Sequence, residues 1–217
     1  MTLETPAVEA PTDKWSRLPA EAVIRRTTES LKARGVDVHL VLNKQDALKL
    51  VLNLIPDGAS IATGASVTLD EIGLVQLLKS GEHHWTNLKQ NIATEKDPAK
   101  RRELQVKATM ADYFLGSAHA VAETGEIVFA SASGSQIPAY AFNAKNVIWV
   151  VGSQKIVPDL EHAIQRVREY SLALEHLQMR KLGYPGSMIG KMLIFEKEAS
   201  SSPRKLTMIF VNERLGS

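Results

Sequence analysis

The sequence predicts an α/β protein in which helices cover both faces of a doubly wound, mostly parallel β-sheet. Strand patterns alternate with helical patterns from residue 19 to residue 182, and this alternation is typical of such folds. Residues 147–151 (VIWVV) form a continuous apolar run, as expected for a strand that is buried on both faces of a parallel sheet. Glycines, prolines and capping residues separate these patterns, so the elements can be placed in order.

Each predicted strand is short, rich in β-branched or aromatic residues, and bounded by turn-forming residues. The predicted strands are residues 36–42, 60–63, 113–115, 120–122, 127–130, 147–151, 191–198 and 205–213. The last two are joined by the segment SSSP and are therefore predicted to form a C-terminal strand pair.

The predicted helix starts are marked by proline in a first turn or by side chains that can cap free amides. Asn43 is one such cap, and Thr68 with Glu71 three residues later has the spacing of a capping box. The predicted helices are residues 19–34, 44–55, 68–79, two within 82–112 that are separated by Asp97-Pro98, 137–143 and 158–182.

Size and composition indicate one ordinary globular domain. The 217 residues fit a single domain over 14–217, and the small, proline-containing residues 1–13 predict a flexible arm. A formal net charge of +2 is too balanced to indicate a nucleic-acid partner. The sequence shows neither the pattern of a signal peptide nor an apolar run of membrane-spanning length, so we expect a cytoplasmic protein without a membrane partner.

The sequence contains no cysteine, which excludes thiol nucleophiles, zinc–thiolate sites and cysteine-held iron–sulfur clusters. The histidines lack metal-ligand spacing, because the adjacent His83 and His84 point apart on a helix and neither has a suitably placed partner. We therefore predict no metal site. His119 is a secondary candidate functional residue because it lies close to the turn described next.

The segment Glu123-Thr124-Gly125-Glu126 is predicted to turn the chain between two strands, with Gly125 supplying the positive φ that tight turns need. A carboxylate on such a turn can be fixed in direction and still be reached by a ligand. Glu123 is thus the candidate catalytic residue, and Thr124 and Gly125 are candidate ligand contacts. A polar turn is also what any hairpin needs, so a purely structural role remains open.

Two further loops follow predicted strands, where open parallel sheets bind ligands. After residues 60–63, Gly64 allows a close backbone approach, and Ser66 and Thr68 offer hydroxyl groups beside Thr63. Neither a complete GxGxxG pattern nor a P-loop pattern is present, so the signal for phosphate binding is weak. After residues 147–151 come Gly152, Ser153 and Lys155, whose ammonium group could meet an anion. We expect all three loops to border one crevice, although each could equally be an ordinary junction.

These segments, in this order, resemble the LUD family, the lactate-utilisation domain of LutC-type proteins. The matching segments are TGASVTLDEIG at 63–73, Ala111-Asp112 before a strand, AVAETGEIV at 120–128 and VVGSQKIVPDLEHA at 150–163. The resemblance covers about residues 20–215. It implies the fold of glucosamine-phosphate isomerases, ribose-phosphate isomerases and CoA transferases. In CoA transferases of that fold, a glutamate before a glycine attacks the acyl-CoA, and Glu123-Thr124-Gly125 is similar to that arrangement.

The chain departs from the family in one respect, because many longer members carry a cysteine-rich stretch where residues 183–206 contain no cysteine. The resemblance therefore implies a non-redox accessory or ligand-binding component of lactate or organic-acid utilisation, beside iron–sulfur or flavin partner proteins. It implies a small anionic ligand at the C-terminal edge of the sheet and leaves CoA or a phosphorylated compound open as cofactor.

Two other functions remain open. The chain could be a CoA-transferase-like or phosphosugar-type enzyme with Glu123 as nucleophile or base, whose carboxylate would need partial desolvation and a nearby oxyanion donor. It could also be a structural interaction subunit that uses its C-terminal strands against a neighbour. The sequence leaves homo-oligomerisation open.

Overall fold

The computed structural model describes residues 13–217, which form two β-sheets with helices packed around them. The arm predicted for residues 1–13 therefore lies outside the described residues, apart from Asp13. The strands are β1 (Val36–Val41), β2 (Ser60–Thr63), β3 (Thr86–Asn87), β4 (Tyr113–Gly116), β5 (Ala120–Ala122), β6 (Ile127–Ser131), β7 (Asn146–Gly152), β8 (Ile156–Val157), β9 (Lys191–Phe195) and β10 (Lys205–Val211).

The side chains of Asn43 and Asp97 cap their helices by accepting from amides of the first turn, as the sequence indicates. The helix predicted from residue 158 begins at Leu160 and is capped by Asp159. The α-helices are α1 (Glu21–Ala33), α2 (Lys44–Leu54), α3 (Val67–Glu71), α4 (Leu74–Ser80), α5 (Pro98–Ala108), α6 (Leu160–Arg166) and α7 (Leu172–Lys181). A π-helical turn, Val167–Ser171, joins α6 to α7, and a second one spans Ala139–Asn143. No helix between residues 13 and 217 is both long enough and apolar enough to cross a membrane.

The larger sheet has six strands in the order β1-β10-β7-β4-β2-β3, and every pairing in it is parallel. Alternate residues of β7 enter two different cores: Trp149 packs in the core that contains α1, whereas Ile148 packs in the core that contains α2. Since both faces of the sheet are covered, the continuous apolar run of β7 is explained. The predicted doubly wound α/β class is confirmed.

The smaller sheet, in the order β8-β5-β6-β9, packs on the same face of the larger sheet as α1. Strands β5 and β6 are antiparallel and are joined by the predicted turn, in which Gly125 has a φ of 102°. The outer face of this sheet contacts α6 and the π-helical turn after it through Ala120, Val128 and Val167. The β5–β6 hairpin is therefore part of the connection between β4 and β7, and it lies on the face of the larger sheet that α1 also covers.

The two C-terminal strands exist, but they do not pair with each other. β9 adds to the smaller sheet beside β6, whereas β10 enters the middle of the larger sheet between β1 and β7. Strand β10 is buried along most of its length, which suits a central strand, and Arg204, immediately before it, anchors its start. Its guanidinium donates to the carbonyl oxygens of Ala139, Tyr140, Ala141 and Ala144, and so fixes the start of β10 beside the end of the π-helical turn.

Two predicted helices also need correction. The helix that begins near Thr68 is two helices, α3 and α4, because Gly73 adopts a φ of 88° between them. Its cap is Ser66, whose Oγ accepts from the amide of Leu69, so the predicted capping box of Thr68 and Glu71 is wrong. Of the two helices predicted within 82–112, only α5 exists, and β3 lies in place of the other.

Candidate functional site

A cavity of about 1000 Å³ lies beside the carboxyl ends of β2, β4 and β7. Strand ends and the loops that follow them supply much of its lining: residues 63–68 at the end of β2, 117–119 after β4, 131–133 and 135–136 at the end of β6, and Lys155 after β7. This is the edge at which open parallel sheets place their ligands. The opposite wall comes from α4, from α7 and from residues 187–189.

Lys155 places a buried amine in this cavity. Its side chain is 3% exposed, and Nζ donates to Oγ1 of Thr68 (3.3 Å), to Oγ of Ser117 (3.3 Å) and to the carbonyl oxygen of Ala118 (3.2 Å). Among the described residues, no carboxylate lies within ion-pair distance of it. Burial and the nearby charge of Arg166 lower the pKa of Lys155 to about 7, against a weaker opposing effect of Glu71.

The partners of Lys155 suit both of its protonation states. The ammonium form donates three hydrogen bonds, and all three oxygens around Nζ can accept them. In the neutral form the amine needs a donor, which the hydroxyl of Thr68 or of Ser117 can become by rotating. The amine can therefore gain or lose a proton without leaving a buried polar group unpaired.

His119 contributes a neutral imidazole to the same cavity. Its Nδ1 accepts from the amide of Ala130 over 3.2 Å, so the ring proton is assigned to Nε2. Burial, followed by the charges of Lys155 and Arg166, lowers the pKa of His119 to about 3. Near neutral pH this residue is thus an uncharged donor.

Arg166 is a second buried cation without a carboxylate partner among the described residues. It is fully buried, and its guanidinium donates to the carbonyl oxygens of Trp15 and His119 and to Oγ of Ser171 (3.1 Å), while Nη2 has no hydrogen-bond partner there. Burial lowers the pKa of Arg166 to about 10, so it keeps its charge near neutral pH. Arg166 does not itself line the cavity, but it adds positive potential behind His119.

Lys89 adds a further cation beside β2. Its Nζ lies 3.4 Å from Oγ1 of Thr63, and burial lowers the pKa of Lys89. Sequence reasoning missed Lys89 and Ser117 and gave no role to Arg166. Ser117 could have been predicted from the sequence, because it directly follows strand β4, as the other candidate residues follow their strands.

Comparison with known proteins places the chain in a family. The model of the LUD domain matches residues 24–192. The chain belongs to the LUD domain family. A solved structure, that of a DUF162 family protein from Deinococcus radiodurans, covers 90% of this chain and 100% of its own, with a TM-score of 0.56 and 11% sequence identity. At that identity the likeness shows the fold alone. No curated protein matches the sequence.

The cavity of this LUD domain brings together five of the residues that the sequence predicts as ligand contacts. They are Thr63, Gly64, Ser66, Thr68 and Lys155. Gly64 is closely packed, since a Cβ there would lie 3.1 Å from the hydroxyl of Tyr140 and 3.3 Å from Oε1 of Gln136. His119, the secondary candidate, lines the cavity as well.

The turn that carries Glu123 is not brought to the cavity. Glu123 follows β5 at the end opposite to His119, three residues beyond Ala120 and so about 10 Å farther along the strand direction. There the carboxylate accepts from Arg26 of α1 over 2.8 Å, and Thr124 and Gly125 pack beside Arg34. The catalytic role of Glu123 stays a prediction, and its position gives that role no support.

Gly152 and Ser153 also lie outside the cavity of the LUD domain. A Cβ on Gly152 would lie 2.7 Å from the backbone nitrogen of Leu215 and 2.8 Å from the carbonyl oxygen of Glu213. The hydroxyl of Ser153 lies 3.4 Å from Oδ1 of Asn212. These two residues pack against the segment after β10, whereas Lys155, two positions later, reaches the cavity.

Proposed function

We propose that this LUD domain binds a small anionic ligand in the cavity, with Nζ of Lys155 as its principal contact. The observation that carries the proposal is the environment of Lys155, a 3% exposed lysine whose partners are all neutral oxygens. A buried charge is costly unless an opposite charge compensates it. A carboxylate or phosphate group in the cavity would supply that charge.

The neighbours of Lys155 favour the same chemistry. Arg166 adds positive charge behind His119, and this charge contributes, after burial, to the lowered pKa of Lys155. The hydroxyls of Thr68 and Ser117 and the Nε2–H group of His119 are neutral donors that an anionic oxygen can use. The ligand would therefore meet the cations Lys155 and Lys89 together with several neutral hydrogen-bond donors.

The physiological role that we propose is that of a non-redox accessory component in lactate or organic-acid utilisation. Membership of the LUD domain family supports it, as does a sequence without any cysteine to hold an iron–sulfur cluster. The expected partners are iron–sulfur or flavin proteins that carry out the oxidation. Copurification of such proteins, together with slower growth on lactate after deletion, is the expected result. Unchanged growth and no associated redox protein would contradict this role.

The binding proposal is tested by native mass spectrometry with a panel of carboxylates and phosphate esters. We expect at least one member to bind the wild-type protein and to lose most of its affinity for Lys155→Met, which keeps the length of the side chain and removes the charge. Lys32→Met is the matched control, because Lys32 is exposed on α1 and outside the cavity. Equal binding to all three proteins, or to none, would refute the proposal.

A further inference from the structure

The cavity is larger than a small anion needs. Its volume of about 1000 Å³ is at the upper end of the range of roughly 300–1,000 Å³ for pockets that enclose drug-sized ligands. A carboxylate or phosphate group that contacts Lys155 would occupy only one part of it. The residues that line the remaining space therefore indicate what else the ligand carries.

Apolar atoms make up most of the lining surface of the cavity, although polar side chains lie among them. Helix α7 turns one face to the cavity, on which the apolar Leu172, Met179 and Leu182 lie together with the polar Glu175 and Gln178. Helix α4 adds Val75 and Leu78, and the segment after α7 adds Met188. Methionine and leucine side chains adapt to apolar groups of varied shape.

The polar and apolar parts differ in depth. Lys155 is 3% exposed, whereas Leu182 is 61% exposed and Met188 is 66% exposed. The charged group thus lies at the bottom of the cavity, and large apolar side chains stand toward its mouth. A ligand that satisfies both parts enters with its charged group first and leaves an apolar body against α7.

We propose that the ligand of this site is an amphipathic anion, a carboxylate or similar head group that carries an extended apolar chain. This inference rests on the proposed function, since the head group is the anion held by Lys155. The chain lies along Leu182 and Met188 and removes their exposed surface from water. Burial of a methylene group contributes a roughly constant free energy, so affinity should grow with chain length until the cavity is filled.

The experiment is calorimetric titration of the purified protein with straight-chain carboxylates from butanoate to decanoate, below the concentrations at which they form micelles. We expect affinity to rise about fourfold for each added methylene and then to level off. The double variant Leu182→Ser, Met188→Ser should flatten this dependence and leave the affinity for butanoate unchanged. Both side chains are exposed, so their replacement should not unfold the protein.

Leu177→Ser is the matched control, since Leu177 is a 40% exposed leucine of the same helix that does not line the cavity. It should bind the whole series as the wild type does. Equal affinity of the wild type for short and long carboxylates would overturn the amphipathic ligand, and so would an equal loss in Leu177→Ser. If Lys155→Met binds the series as the wild type does, the proposed function itself fails, and the two failures are thereby separated.

Discussion

The Nζ of Lys155 lies 3.3 Å from Oγ1 of Thr68, and this contact joins the loop after β7 to helix α3. The backbone of Gly216 covers the contact: a Cβ on that glycine would lie 2.3 Å from Oγ1 of Thr68 and 3.0 Å from Nζ of Lys155. The amine is thus enclosed by polar but uncharged groups. Because its protonation state decides the charge of the cavity floor, stability and ligand binding should both depend on pH.

Replacement of Lys155 by methionine should remove a pH dependence of stability. The folded protein releases the proton of Lys155 near its lowered pKa of about 7, whereas the unfolded chain keeps it up to the ordinary value of 10.5. Below about pH 7 the folded protein buries the charged ammonium group, and the free energy of unfolding is lowered by the full amount. This penalty disappears as pH rises toward 10.5. Each pKa unit corresponds to about 1.4 kcal/mol. Lys155→Met should therefore be more stable than the wild type at neutral pH, and the difference should shrink in mild alkali.

Urea unfolding of both proteins at several pH values between about 6 and 9 measures this difference. The control is Lys32→Met, whose difference from the wild type should stay constant with pH. A constant difference for Lys155→Met would show that the amine is not buried as described.

Anion binding should weaken as pH rises. A ligand anion stabilises the ammonium form of Lys155, and the fraction of that form in the free protein falls about tenfold for each pH unit above its pKa of about 7. The affinity for octanoate should fall in parallel, and binding near pH 8 should take up a proton. Calorimetry in two buffers of different ionisation enthalpy measures that uptake. Affinity independent of pH would contradict the role of Lys155.

His119 should make the protein sensitive to acid. Its pKa is lowered from the ordinary value of 6.5 to about 3, so between these values the unfolded chain binds a proton that the folded protein does not. Stability contributed by the neutral ring is therefore present above pH 6.5 and is lost as pH falls toward 3. His119→Asn keeps an acceptor for the amide of Ala130 and should reduce this loss. The same change at the exposed His84 is the control, and unfolding by urea at acid pH is the measurement.

Much of the larger sheet could be predicted because the local sequence pattern determines where its strands and the neighbouring helices lie. The apolar run of β7 fixes a strand with two buried faces, and the caps Asn43 and Asp97 fix helix starts within a residue or two. The partner of β10 was not predictable in this way. A nine-residue connection from β9 to β10 permits a hairpin as readily as a crossing to another sheet. The choice depends on long-range contacts, and those of Arg204 are among them.

The site was predictable only in part, for a related reason. The rule that ligands lie at the carboxyl ends of parallel strands applies to Gly64, Thr68 and Lys155, which do meet. Glu123 follows a strand as well, but β5 belongs to the smaller sheet, and its far end faces away from the cavity. A sequence shows that a residue follows a strand, yet membership of one sheet or another depends on long-range pairing.

Glu123→Gln should leave anion binding within about twofold of the wild type and should cost little stability. The carboxylate accepts from Arg26, whose side chain is 57% exposed, and such surface ion pairs contribute about 0.2–1 kcal/mol. Calorimetric titration with octanoate and urea unfolding test both statements. A loss of binding comparable to that of Lys155→Met would show that Glu123 takes part in ligand binding.

Gly116→Ala should destabilise the protein through a clash with Tyr140. A Cβ on Gly116 would lie 1.7 Å from the hydroxyl oxygen of Tyr140 and 2.8 Å from its ring carbon Cζ. Since Tyr140 is itself buried among aromatic rings, the overlap should cost about 1–3 kcal/mol or more. Tyr140→Phe removes the nearer atom but leaves the ring, so the double variant should recover only part of the loss.

Gly64→Ala provides the graded comparison, because its Cβ would lie 3.1 Å from the same hydroxyl and needs a shift of only a few tenths of an ångström. The free energy of unfolding should therefore fall less in Gly64→Ala than in Gly116→Ala, and Tyr140→Phe should rescue it more completely. Urea unfolding of the two double-mutant cycles measures both coupling energies. If Gly116→Ala proved as stable as the wild type, the ring of Tyr140 could not lie against the backbone of Gly116 as described.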